Sequence, residues 1–305
     1  PVGMIACASW ATAIQPFTPL SGYRDKPGLE KTLAKEKGLL EGFEARLLEC
    51  VGDSSQRAEE MKRALRSGRP VDSIPADDLK ELKRMRTPHQ VYNAMIHGLI
   101  PYALRGVLWY QGESNRSEGM LYAHRMKALV DGWRTEWGYD FSFYYVQLAP
   151  FRYKPLRPIQ VQRRGFTGPF LSHFWEAQTA AMDMIPKSGM VVTTDIGDLD
   201  DIHPTRKRPV GERLARWALA KDYGRDIPCS GPLYSGTNVE GKRIIVTFDH
   251  VEGGLKSLDG EPLRDFTLSG ADRTFVPAEA VIVGDTVEVS NEEIDTPVAV
   301  RMGWV

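Results

Sequence analysis

Short, nearly continuous apolar runs stand at four places in the chain, residues 2–8, 106–110, 141–148 and 190–194. Each is too short for a core helix, and most are rich in β-branched or aromatic residues, so each predicts a buried strand. Strands apolar on both faces belong to a parallel sheet covered from both sides. Between the runs the spacing turns helical. Tyr122, Met126, Leu129, Val130 and Trp133 share one face of a helix over 119–137. Further helices are predicted over 174–184 and 210–223, the last closed by Gly224. Strands alternating with helices specify an α/β layered fold.

Two regions break this rhythm. Over 28–86, Leu29, Leu33, Leu40, Phe43 and Leu47 recur at helical spacing among many charges, and a second charged helical stretch follows near 59–65. This reads as a helical insertion covering one side of the sheet. Residues 227–236 (IPCSGPLYSG) have the composition of a linker. Beyond them, short strands are predicted over 242–249, 265–268, 279–283 and 287–289, with Gly284 and Asp285 in a hairpin turn. The chain therefore divides into an α/β domain over 1–226 and a small β domain over 237–305. It opens inside an apolar run and closes on VAVRMGWV, another strand pattern, so both ends are expected to be cut from a longer polypeptide.

Composition adds limits. Of 305 residues, 42% are hydrophobic and 26% charged, which is ordinary for a folded domain with its own core. Lys and Arg number 39 against 40 Asp and Glu, a net charge of −1, so no field of one sign favours a nucleic acid or a membrane surface. The densest basic stretches, 163–164 and 206–208, read as solvated surface. Three widely spaced cysteines, Cys7, Cys50 and Cys229, form neither a disulfide framework nor a metal-binding set.

Ligands of parallel α/β sheets bind beyond the carboxyl ends of the strands. Two such ends are chemically rich. After 106–110 come Gln111, Gly112, Glu113, Ser114 and Asn115. Gly112 permits a sharp turn or close approach, while Gln111 and Asn115 carry amides that can donate to a developing oxyanion. After 190–194 come Asp195, Asp198, Asp200, Asp201 and His203, with Pro204 opening the next element. Asp200, three residues before His203, can orient the imidazole so that His203 acts as general base. The same acidic set also admits a hard-cation site built from Asp195, Asp198, Asp200 and His203. Polar turns that merely end a strand or cap a helix are the bland alternative for both segments.

Taken in order, the runs 109–115 (WYQGESN), 92–97 (YNAMIH), 176–178 (EAQ), 195–198 (DIGD) and 201–204 (DIHP) resemble the sialate O-acetylesterase family within the SGNH hydrolases. The resemblance continues at 275–280 (FVPAEA) and 298–301 (VAVR). It implies a flavodoxin-like three-layer hydrolase domain that removes acetyl groups from the hydroxyls of sugars or polysaccharides. It makes His203 the general base and Asp200 its orienter. It places Gln111, Gly112 and Glu113 in the block that helps form the oxyanion hole, with Asn115 in the same loop. It implies no metal or organic cofactor, a secreted or periplasmic location and no particular oligomeric state.

The sequence departs from that family in two ways. No Gly-Gln-Ser-Asn type motif precedes the first strand pattern, so the nucleophilic serine is expected to lie outside this chain. The family's Gly-Gly-Thr after the first strand is replaced by Trp10, Ala11 and Thr12. Ser54, in a Gly-Asp-Ser match, follows a helical run instead of a strand; Ser114 follows a strand but belongs to the oxyanion loop; Ser9 reads as structural. His97, Trp133 and Trp137 read as packing residues. Three readings follow: an esterase, a non-catalytic glycan-binding protein that kept the cleft, and a metal-assisted hydrolase using the cluster from Asp195 to His203.

Overall fold

The computed structural model describes residues 2–9, 11–66, 89–100, 102–153 and 170–304. The chain divides into two compact units, residues 1–103 with 124–140, and 104–123 with 141–305.

The first unit is helical. A 37-residue helix, α1 (Glu30–Arg66), replaces the two helical stretches expected near its ends; the remainder of the expected insertion lies outside the described residues. The second helix, α2 (Leu121–Trp137), contributes most of its length to this unit. Its apolar face is buried as its spacing requires, with Met126, Ala128, Leu129 and Val130 at 0% exposure. Gly22 and Gly132 allow α2 to press against the loop at 17–23: a Cβ on Gly22 would lie 2.2 Å from the Ala128 carbonyl oxygen. Trp133 donates its indole N–H to the Phe17 carbonyl at 2.8 Å, and its ring lies 6.3 Å from that of Trp137, so both tryptophans are packing residues. His97, in contrast, is exposed.

Residues 2–9 form no strand. Val2, Met4 and Ile5 are 71%, 77% and 55% exposed. An apolar run specifies burial, but a strand also needs a neighbour to complete its backbone hydrogen bonds. Among the described residues of this unit there is no strand to supply them.

The second unit holds a parallel sheet of β1 (Gly106–Trp109), β2 (Ser142–Val146) and β3 (Ser188–Val191), in that order. Trp109 pairs with Tyr145, and Val146 with Val191. The central strand β2 is buried along its whole length, which is why it reads as a continuous apolar run. Its alternate residues serve different layers. Ser142 and Tyr144 donate to Asp222, and Tyr144 and Val146 pack with Leu214 and Trp217 of α4 (Lys207–Lys221). Tyr145 turns the other way and donates to the Gln178 carbonyl of α3 (Phe170–Met184). This part of the unit is therefore a sheet with a helix on each face. Gly189 makes room for α4, since a Cβ there would lie 2.5 Å from the Trp217 ring.

Beyond α4 lie two antiparallel sheets. One has the order β4-β5-β9-β8, from β4 (Leu233–Glu240), β5 (Arg243–Asp249), β8 (Glu279–Val283) and β9 (Thr286–Ser290). The other has the order β10-β6-β7, from β6 (Phe266–Ser269), β7 (Phe275–Pro277) and β10 (Ala299–Met302). Ile244, Val246, Phe266, Leu268, Ala280, Val287 and Val289 form one core from both. The hairpin at Gly284 is present, with that glycine at φ +60°. β4 begins at Leu233, inside the segment read as a linker: it is an edge strand with little buried surface, so its sequence lacks a strand's apolar alternation. No helix among the described residues is long and apolar enough to cross a membrane.

Candidate functional site

Because β1, β2 and β3 are parallel, their exit loops emerge at one end of the sheet. The β1 exit turns at once into a 3-10 helix, Glu113–Asn115. Gly112 is required there by packing: a Cβ would lie 2.8 Å from the Phe174 ring and 3.3 Å from Leu148. Gln111 donates from Nε2 to Asn115 Oδ1 at 2.9 Å, and Tyr122 donates its hydroxyl to Gln111 Oε1 at 2.8 Å. Asn115 is 1% exposed. The loop is thus held by its own amides and by a tyrosine whose pKa burial raises well above its ordinary value.

The β2 exit is fixed from α3. Gln178, 1% exposed, accepts from the Leu148 N–H at 2.8 Å and donates to the Val146 carbonyl at 3.1 Å. Its carboxamide continues the pairing where the ladder ends. The Trp175 indole donates to the Leu148 carbonyl at 2.6 Å. Gln178 closes the EAQ run and Trp175 directly precedes it.

The β3 exit carries the acidic residues and His203. Asp195 is bound in a fork by Arg213, at 2.7 and 2.5 Å, and that guanidinium holds its carboxyl below the usual range. Asp198 Oδ1 accepts the backbone N–H groups of Asp200 and Asp201. Asp200 Oδ1 accepts from Arg152 at 2.8 Å, and the Arg152 N–H donates to the Leu199 carbonyl at 2.9 Å. The His203 backbone N–H donates to Asp201 Oδ1 at 2.8 Å. His203 is exposed, and its ring makes no hydrogen bond to Asp200 or to any other described residue.

Side chains cross between the exits. Arg116 lies over the Tyr153 ring at 4.7 Å while donating to the Glu113 carbonyl, joining the β1 and β2 exits. Lys207 lies 5.0 Å from the Tyr110 ring centroid, joining the β1 exit to the start of α4, four residues beyond His203. Arg152 joins the β2 and β3 exits. Burial and the nearby Glu113 carboxylate push the Tyr153 phenol up to about 12.

Gln111, Gly112, Glu113 and Asn115 therefore share one loop, and Asp200 and His203 share another at the same end of the sheet. Arg152, Arg213 and Tyr122, which position those loops, gave no local motif. The acidic run does not gather into a cation site: Asp195 and Asp200 face guanidinium groups, and among the described residues no three His, Cys, Asp or Glu come together to hold a metal ion. Ser54 stands within α1, and Ser9 shares a 2.8 Å hydrogen bond with Thr12, so neither follows a strand end.

A parallel sheet between helices, with polar loops at its strand exits, defines an α/β domain of the class that binds ligands at those exits. Residues 69–220, just under half of the chain, match the family described as carbohydrate esterase, sialic acid-specific acetylesterase. It is 34% identical to the sialate O-acetylesterase of Mus musculus over 159 residues, covering 48% of this chain and 29% of that protein. With the Homo sapiens sialate O-acetylesterase it shares 32% identity over 173 residues, covering 53% of this chain and 32% of that protein. A crystal structure of a carbohydrate acetylesterase from Xanthomonas citri matches with a TM-score of 0.64 at 35% identity, covering 73% of this chain and 50% of that one. The chain thus spans less than a third of the length of the curated relatives it matches.

Proposed function

We propose that this chain is part of a secreted or periplasmic esterase of the SGNH type that hydrolyses O-acetyl esters on sugars or polysaccharides. The observation that carries this reading is the family segment at 69–220, which contains both polar exit loops of the parallel sheet. In it His203 is the general base. It takes the proton of a serine hydroxyl as that oxygen attacks the acetyl carbonyl carbon, then returns the proton to the sugar oxygen as the ester bond breaks. The same imidazole then activates the water that releases acetate. Asp200, engaged at Oδ1 by Arg152, is the residue assigned to orient His203. Gln111 and the Gly112 N–H face the developing oxyanion, and Glu113 and Asn115 shape their loop. The serine is assigned to a segment outside this chain. The domain division proposed with this reading puts the α/β layers in one domain and the antiparallel sheets in another.

The open Asp200–His203 geometry favours, as the second reading, a glycan-binding protein without catalysis. Metal-assisted hydrolysis has less support, because its best carboxylates are engaged by arginines. Acetate release from p-nitrophenyl acetate and acetylated sugars, measured on this chain and on the longer polypeptide containing it, separates the readings. Release by the longer form supports the esterase with an outside serine. Release by this chain alone, abolished by Ser114→Ala, would move the nucleophile to Ser114. Sugar binding without release in either form would favour the second reading.

A further inference from the structure

Gln147 leaves the central strand β2 at the end of the sheet where the polar loops emerge. It is 7% exposed, and its Oε1 is fully buried without a hydrogen-bond partner. Its backbone is engaged, the N–H with the Val191 carbonyl and the carbonyl with the Thr193 hydroxyl. Strand alternation puts Gln147 on the same face as Tyr145, the face that meets α3. It stands two residues beyond Tyr145, as Gln111 stands two beyond Trp109, and Trp109 and Tyr145 are registered partners.

Neither Gln178 of α3 nor Gln111 of the β1 exit supplies that partner. Gln178 uses both ends of its amide on the β2 backbone, and the Gln111 carboxamide is held by Asn115 and Tyr122. A buried amide atom with no partner costs folding free energy, and an apolar side chain of similar size would avoid that cost. No described group of the protein completes this amide oxygen, which leaves a ligand at the strand exits as its candidate partner.

We propose that Gln147 is a substrate-binding residue whose carboxamide takes a hydroxyl of the sugar that carries the acetyl group. A hydroxyl both donates and accepts, so it can complete either end of an amide. The assignment rests on the esterase reading for its substrate, and on burial and hydrogen bonding for its site.

The test is Gln147→Met in the longer polypeptide that contains this chain, compared with wild type of the same length by thermal unfolding and by acetate release from two esters. The melting temperature stays level or rises, because an unpartnered polar atom is removed. On an acetylated sugar, kcat/KM falls about tenfold, mainly through KM, while p-nitrophenyl acetate, which offers no sugar hydroxyl, changes by less than about twofold. A lowered melting temperature, equal losses on both esters, or no loss on either would overturn the assignment. If wild type hydrolyses neither ester, the esterase reading fails separately, and calorimetric titration with the acetylated sugar still decides on Gln147. Weaker binding by the variant supports the role; equal binding, or none by wild type, overturns it.

Discussion

At the scale of single residues, the exit loops depend on contacts too close to admit change. Gly112→Ala would drive a methyl group into the Phe174 ring, and we expect a loss of about 1–3 kcal/mol of stability by urea unfolding. Asp195 and Arg213 make a pH-dependent contribution. The carboxyl pKa is depressed in the folded state, so its stabilisation is present above the ordinary carboxylate range and is lost as pH falls through the folded value. Arg213→Met should cost about 1–2 kcal/mol near neutral pH, and the gap from wild type should narrow below about pH 4. It should not close entirely, because Arg213 also donates to the Val192 carbonyl. These pairings were illegible in the sequence. The motif around Asp195 and His203 announced itself, but nothing local says that Arg152 meets Asp200 or that Arg213 meets Asp195.

At the scale of elements, the buried strands were the most legible part. β2 is apolar on both faces because helices cover both, and that leaves a plain signature. β3 begins two residues before its expected start because Ser188 and Gly189 lack that signature, yet Gly189 is the residue that admits Trp217. The run at 2–8 misled for the opposite reason: apolarity predicts burial without naming a pairing partner. Where β2 ends, Gln178 substitutes for a missing strand. Gln178→Leu removes both amide hydrogen bonds and leaves the Leu148 N–H and Val146 carbonyl unpaired. We expect a loss of about 2–4 kcal/mol, with hydrogen exchange rising at Leu148 before it rises in the rest of β2. Unchanged exchange at Leu148 would show that α3 does not hold this exit.

At the scale of the whole molecule, the functional reading follows from the end of the sheet at which the polar residues emerge. Gln111 to Asn115 and Asp200 to His203 follow the two strands that flank β2 in one parallel sheet, within a segment that matches a carbohydrate esterase family. The architecture therefore brings the amides of one loop and the histidine of another to one end of the sheet, while the antiparallel sheets keep a separate apolar core. The most direct measurement is acetate release from an acetylated sugar by the longer polypeptide carrying His203→Ala, beside wild type. With His203 as the base, turnover falls by on the order of 10³-fold with stability unchanged. Turnover at the wild-type rate would contradict the account, because no other described histidine lies on the exit loops of the parallel sheet.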